Sequence, residues 1–251
     1  MVLSSRMTIN MQSKLLTEHG LSHLIFGAGY NFRSQTSTAA DLKVDYQALI
    51  EAVGVPVETA YSATQVHGDG IAYVDGSQGE DFLVGKTIAN TDCLITDQMG
   101  VGLVIKYADC TPVVVYDPVR KVHASVHSGW RGTVQKIAIK AIQRMVTDFG
   151  SQVSDLLIYL GPSIDAAHYE VGSEVYDAFG DFKDRDAFFQ AKGDKYLLSN
   201  IDAIYQSLLE EGVGAGQIDK STLSTYTDPG LHSARQQGVD YRLNAILTVM
   251  T

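Results

Sequence analysis

Between residues 59 and 126 the chain passes through a succession of short, apolar, strand-like runs. They fall at 59–66, 71–74, 93–96, 102–107, 112–116 and 122–126, with Gly, Asp and Pro at the breaks. The period then changes. From 133 to 149, Val134, Ile137, Ala138, Ala141, Ile142, Met145, Val146 and Phe149 fall on one side of a helix, which Gly150 closes. Strands followed by a strongly striped helix point to an α/β chain. Other elements are expected on the same grounds: a strand at 21–26 ending in Gly27-Ala28-Gly29, a helix over 41–53 stopped by Gly54, and a strand at 156–160 broken by Gly161-Pro162. Ser199 with Asp202 resembles a capping box opening a helix through Glu211, and the tail from 241 to 250 reads as helical.

A chain of 251 residues can bury a substantial core, either as one large domain or two small ones. Hydrophobic residues at 45% and charged residues at 19% are ordinary for a globular protein. No Ser/Gly-rich or Pro-rich linker divides it, so a single domain over 1–251 is expected. Formal charge is 19 − 29 = −10, without a Lys/Arg cluster, which argues against nucleic acid or an anionic membrane surface as a partner. A small anion is still admissible, because a few local arginines or a helix N-terminus suffice to bind one. Residues 1–14 hold no apolar stretch of signal-peptide length, and no run approaches the roughly 20 apolar residues of a membrane span. The expected location is the cytoplasm, with Cys93 and Cys110 as reduced thiols.

Chemistry concentrates in Gln65-Val66-His67-Gly68, Ala108-Asp109-Cys110-Thr111-Pro112 and Val126-His127-Ser128-Gly129-Trp130-Arg131-Gly132. Together these place one thiol and two imidazoles at breaks in apolar runs. A soft thiolate with two imidazoles suits zinc or copper, and three protein ligands leave a fourth position open, as in catalytic zinc sites. The same residues also read as a Cys110 nucleophile with His67 or His127 as its base. Cys93, between Asp92 and Leu94-Ile95, reads as a small buried hydrophobe. Arg131 lies just ahead of the long helix, where a phosphate or carboxylate could dock, or it is a surface arginine. Trp130 is either core or a platform for a flat heterocycle. Asp109 either orients a histidine or caps a turn. Thr91-Asp92-Cys93 weakly echoes Ala108-Asp109-Cys110, while Gly161-Pro162-Ser163 and Tyr169-Glu170-Val171-Gly172 could line a cleft.

Taken in order, these motifs, with Gly161-Pro162-Ser163-Ile164 and Tyr169-Glu170-Val171-Gly172, resemble the bacterial laccase-domain or YfiH-type family, named "multicopper polyphenol oxidase" in older usage. That family is associated with purine nucleoside phosphorolysis, adenosine deamination and, in bacteria, peptidoglycan editing. The resemblance runs from about residue 59 to the C-terminus and implies a single layered sheet-and-helix domain related to cysteine hydrolases. It also implies a zinc held by His67, Cys110 and His127. The family's arginine-containing C-terminal motif appears altered as Leu231-His232-Ser233-Ala234-Arg235-Gln236-Gln237-Gly238, with Arg235 in place of its first arginine and Gln236 where a second is usual. Arg242 fits the arginine that follows. The segment 1–58 diverges: the usual Arg-and-Gly-rich turn is Gly27-Ala28-Gly29-Tyr30 here, which affects the phosphate and ribose contacts more than the metal site. Four-copper laccase chemistry is excluded by counting, since it needs about ten histidines and the chain has 7.

The resulting expectation is a zinc-dependent purine nucleoside phosphorylase-like enzyme, with copper as the alternative metal. It would act on adenosine, inosine or methylthioadenosine with inorganic phosphate. His67, Cys110 and His127 would be the catalytic and metal-binding residues. The purine would lie near Trp130, and phosphate near Arg131 with Arg235 as a second contact. The alternatives are a Cys110-dependent amide hydrolase editing peptidoglycan precursors, and a non-catalytic metal- or nucleotide-binding module.

Overall fold

A computed structural model describes residues 11–251. The stretch 1–14, read above for an export signal, lies mostly outside the described residues.

Two six-stranded sheets stack face to face with helices on both outer surfaces, giving four layers. The first sheet runs, in spatial order, Leu21–Phe26, Asn244–Met250, Val101–Tyr107, Thr59–Ala63, Gly85–Ile88 and Glu80–Phe82. The second runs Ile218–Lys220, Leu157–Leu160, Thr111–Asp117, Val122–Ser128, Cys93–Thr96 and Ile71–Tyr73. A small third sheet joins Glu170–Val171, Lys195–Leu198 and Phe189–Lys192.

Each central strand is buried on both faces, which is why the sequence shows continuous apolar runs rather than alternation. In Thr111–Asp117, Val114 and Tyr116 point between the sheets, where they meet Ile105, Tyr107 and Ile246 of the first sheet. Val113 and Val115 point the other way, onto Ile142 and Met145 of the helix Ile137–Phe149 and Ile204 and Leu208 of the helix Asn200–Glu210. The outer face of the first sheet, with Val104, Ala245, Leu247 and Val249, packs on Leu42, Tyr46 and Leu49 of the helix Ala39–Ala52.

Two expectations are corrected. The tail is a strand, Asn244–Met250, not a helix. All seven of its residues are buried, because it lies inside the first sheet between Leu21–Phe26 and Val101–Tyr107, and double burial erases any one-sided pattern. The long helix is also divided, into Trp130–Val134 and Ile137–Phe149, by Lys136 in the left-handed region (φ 56°). The expected ending holds: Gly150 terminates the helix in the same region (φ 70°), where a side chain would be strained.

Val122–Ser128 carries the feature that positions the site. Val122, Ala124 and Val126 face the helices. His123, Ser125 and His127 alternate with them and therefore face the seam between the sheets. There the Thr248 hydroxyl meets His123 Nε2 at 3.0 Å and the Ser125 hydroxyl at 2.8 Å. A polar strip thus runs along the seam to His127.

Candidate functional site

His67, Cys110 and His127 come from three separate loops or strand ends, yet their ligand atoms all lie within 4.8 Å of one another. The two imidazole rings meet edge to face, with centroids 4.9 Å apart. His127 is buried, Cys110 is half-buried and His67 is exposed, so the cluster runs from the seam out to solvent.

Asp92 builds this convergence. Its carboxylate accepts backbone N–H bonds from Val66 (3.0 Å), His67 (3.0 Å) and Gly68 (2.9 Å), and lies 2.9 Å from His127 Nδ1. The three amides form a nest around one anion, which holds the 66–68 turn in place. Within that turn His67 has φ 60°, an unusual conformation for a non-glycine residue and one the nest stabilises. The Asp92 contact takes up Nδ1 of His127 and leaves Nε2 as its remaining ligand atom. The Asp92 carbonyl also accepts the His127 N–H, at 2.7 Å. Charged neighbours dominate the titration here. Burial works against an imidazolium at His127, but the Cys110 thiolate and the Asp92 carboxylate raise its pKa above the usual value. Burial likewise opposes the Cys110 thiolate, yet His127, assisted by hydrogen bonds from His127 and His67, brings the thiol below its usual range.

Gly129 lets the third loop approach. A Cβ there would lie 2.9 Å from Cys110 Sγ, closer than a side chain can pack, and a tight 3.3 Å from His67 Cδ2. Gln65 closes the arrangement from the first sheet: its amide donates to the Lys106 carbonyl (2.7 Å) and accepts from the Lys106 N–H (2.9 Å). One thiolate and two imidazoles converging around such a cradle fit a single zinc or copper ion.

The cluster lies in the wall of a cavity of about 350 Å³. Its other walls include Phe32, Arg33, Tyr46, Phe82, Lys106 and Tyr241. Trp130, Arg131 and Arg235 are not part of this lining. The Trp130 ring packs against the cluster around Phe179 and Phe189, with the Arg131 guanidinium 4.3 Å from its centre. Arg235 lies 5.5 Å from the ring centre of Tyr169 and donates to the Glu170 carbonyl at 3.0 Å. Both arginines and Cys110 act electrostatically on Tyr169, whose pKa is raised, mainly by burial. These residues therefore flank Cys110 through Tyr169 and not through the cavity. Asp109 orients no histidine; it accepts from the Thr225 hydroxyl (2.7 Å) and the Arg235 N–H (2.7 Å), fixing the C-terminal loop to the Cys110 turn. Ile164 supports the same turn, its N–H donating to the Asp109 carbonyl at 3.1 Å.

Sequence reasoning missed Asp92, Lys106 and Arg33. Asp92 was signalled by the Asp-Cys echo, and Lys106 by being the one charged residue in an otherwise buried strand. Arg33 carried no recognisable signal.

Comparison with known proteins agrees with the geometry. Residues 17–248 match the family model described as multi-copper polyphenol oxidoreductase laccase. The chain belongs to this laccase-domain family. A purine nucleoside phosphorylase of Bacteroides thetaiotaomicron is 34% identical over 193 residues, covering 75% of this chain and 70% of that protein. Purine nucleoside phosphorylase YlmD of Bacillus subtilis is 33% identical over 162 residues, which is 62% of this chain and 58% of that one. Among solved structures, the hypothetical protein YfiH of Bacillus licheniformis superposes with a TM-score of 0.82 at 25% identity, covering 88% of this chain and 85% of the other. YlmD of Geobacillus stearothermophilus superposes with a TM-score of 0.84 at 23% identity over 95% and 94% of the two chains, a likeness of fold. The four-layer arrangement is thus shared within the laccase-domain family. Among the described residues, no helix is long and apolar enough to cross a membrane.

Proposed function

We propose that this laccase-domain protein is a zinc-dependent purine nucleoside phosphorylase, acting on adenosine, inosine or methylthioadenosine. The observation that carries the reading is the convergence of His67, Cys110 and His127 in the wall of a cavity large enough for a nucleoside. The names of the relatives support the same reaction class. In the reaction a phosphate oxygen forms a bond to the anomeric carbon as the bond from that carbon to the purine nitrogen breaks. The electron pair leaves with the base, which takes up a proton, and ribose 1-phosphate remains, or its 5-methylthio counterpart where methylthioadenosine is the substrate.

His67, Cys110 and His127 would hold the zinc, which when bound supplies Lewis-acid stabilisation of developing negative charge. Asp92 keeps the His127 ring in one orientation and holds the His67 turn against it. The charged groups of the cavity wall are held in place by the fold, so they need little reorganisation to act on a bound substrate. Trp130, Arg131 and Arg235, grouped about Tyr169, supply further substrate contacts. Adenosine deamination at the same residues is part of this reading. Incubating the purified protein with inosine, with and without phosphate, tests it. Hypoxanthine and ribose 1-phosphate should appear only with phosphate, and absence of phosphate-dependent product removes the reading.

One observation favours a second reading. Cys110, His127 and Asp92 also line up as thiol, imidazole and carboxylate, with the thiol pKa lowered and the imidazole pKa raised. That is the arrangement of a cysteine hydrolase acting on an amide of a peptidoglycan precursor. Chelation separates the two: it abolishes a zinc-dependent phosphorylase and spares a pure cysteine hydrolase.

A further inference from the structure

The cavity has a charge pattern opposite to that of the whole protein. The chain carries 29 acidic and 19 basic side chains, yet among the described residues the cavity is lined by Lys106 and Arg33 and by no Asp or Glu. Lys106 lies two residues beyond Val104 and directly opposite Ala245 in the neighbouring strand. Both belong to the apolar cluster beneath the helix Ala39–Ala52, so strand alternation sends the Lys106 side chain to that same face. There it shares the cavity wall with Leu42, Tyr46 and Phe82.

Among the described residues the Lys106 ammonium has no hydrogen-bond or ion-pair partner, and burial alone acts on it, lowering its pKa to about 8. An ammonium held against apolar walls without a counter-charge is costly unless something supplies that charge. The backbone that carries it is fixed, because the Gln65 side chain clamps both backbone groups of Lys106. Arg33 is equally constrained. One of its terminal nitrogens donates to the carbonyls of Val239 (2.9 Å) and Tyr241 (3.0 Å), and its guanidinium carbon sits 3.8 Å above the centre of the Tyr241 ring. The remaining guanidinium N–H groups have no partner among the described residues. Two cations, hydroxyl donors from Ser34, Thr64 and Thr87 in the same lining, and no carboxylate from the described residues make a receptor for a small oxyanion.

We propose that Lys106 and Arg33 form an oxyanion subsite in this cavity and that it takes the inorganic phosphate of the phosphorolysis reaction, in place of the Arg131 and Arg235 flank. This rests on the phosphorylase reading and specifies the residues that hold its second substrate.

The test is a pair of Michaelis constants on the zinc-loaded enzyme. Lys106→Met should raise KM for phosphate at least tenfold while changing KM for inosine less than threefold, and Lys106→Arg should restore most of the loss. A phosphate KM unchanged in Lys106→Met overturns the proposal, as does an equal rise in both constants. So does a rise in phosphate KM confined to Arg131→Ala and Arg235→Ala. If the wild type performs no phosphorolysis, the phosphorylase reading falls, and the subsite is then tested separately by thermal unfolding with phosphate alone. A phosphate-dependent rise in melting temperature that is lost in Lys106→Met, but kept in the surface control Lys140→Met, supports the subsite. No rise in the wild type, or the same rise in Lys106→Met, overturns it.

Discussion

Two Asp-Cys dipeptides enter strands on either side of the His127 strand, and they divide the work of one site between them. Cys93 pairs with Val126 from one side, and Val113, three residues beyond Cys110, pairs with it from the other. From the first turn the acid is used: Asp92 holds the 66–68 turn and His127, while Cys93 is buried in apolar surroundings that push its thiol pKa far up. From the second turn the thiol is used: Cys110 joins the histidines, while Asp109 anchors Thr225 and the Arg235 backbone. Identical dipeptides acquire opposite roles because Cys93 lies inside the second sheet, whereas Cys110 sits in the turn just before its strand. A residue's chemistry here follows from its distance along the strand to the end of the seam.

The largest expected contrast is between the thiols. Cys110→Ala should reduce kcat/KM for inosine phosphorolysis by about 10³-fold or more with the fold intact, because it removes a ligand from the cluster. Cys93→Ser should leave kcat/KM within about threefold and lower stability by roughly 1–3 kcal/mol, since a buried hydroxyl replaces an apolar thiol. An active Cys110→Ala protein would break the comparison. The acids come next. Asp92→Ala strips the partner from three turn amides, each costing about 1–3 kcal/mol when left unpaired, and should weaken metal affinity roughly 10–100-fold. Asp109→Asn, which keeps an acceptor for Thr225 or Arg235, should leave metal content unchanged. Elemental analysis and urea unfolding of the two variants read both effects, and equal metal loss would remove the asymmetry.

The strand between the turns supplies a smaller contrast, in pH. His123 lies four residues before His127 on the same seam. Burial lowers its pKa from 6.5 to about 3, opposed only by its hydrogen bond to Thr248. The unfolded chain binds that proton below about pH 6.5 and the folded chain does not until about pH 3. Between those values the unfolded state holds more protons, so stability rises with pH and is lost on acidification. The His123 contribution to the slope should approach about 1.4 kcal/mol per pH unit, and His123→Gln should flatten it. Urea midpoints measured from pH 7 to pH 4 give the answer, and an unaltered slope in the variant would remove His123 as its source. The least effect is expected at the surface. Glu170, held well below the usual carboxylate range by Lys195 and Lys192, sits in an exposed ion-pair group. Glu170→Gln should produce no resolvable change in melting temperature, and a clear drop would mean that the small third sheet depends on its charges.

Much of the candidate site could be read from the sequence because its thiol and imidazoles stand where apolar runs break, and those breaks are visible without a fold. His67, Cys110 and His127 were recognisable on that basis, as were Gly150 as a helix terminator and most of the central strands. What the sequence concealed depended on contacts between distant segments. Asp92 is separated from the amides it binds by 24 to 26 positions, so only the folded chain shows them together. The strand at 244–250 read as a helix because burial on both faces leaves no strand signature. Trp130 and Arg131 stand out by their rarity and setting, but the alternation of Val122–Ser128 ends just before them, and the Trp130 ring packs on the cluster around Phe179 with Arg131 over it. Lys106 was legible as an anomaly, though not as part of a cavity.

The strand Asn244–Met250 fills the gap between Leu21–Phe26 and Val101–Tyr107, and this has a consequence for how the protein comes into being. Until the segment 244–250 has docked, the first sheet is split between its edge strand and the rest. Only on docking can Ala245 come to rest across from Lys106, and Asn244 donate to the carbonyl of Tyr107.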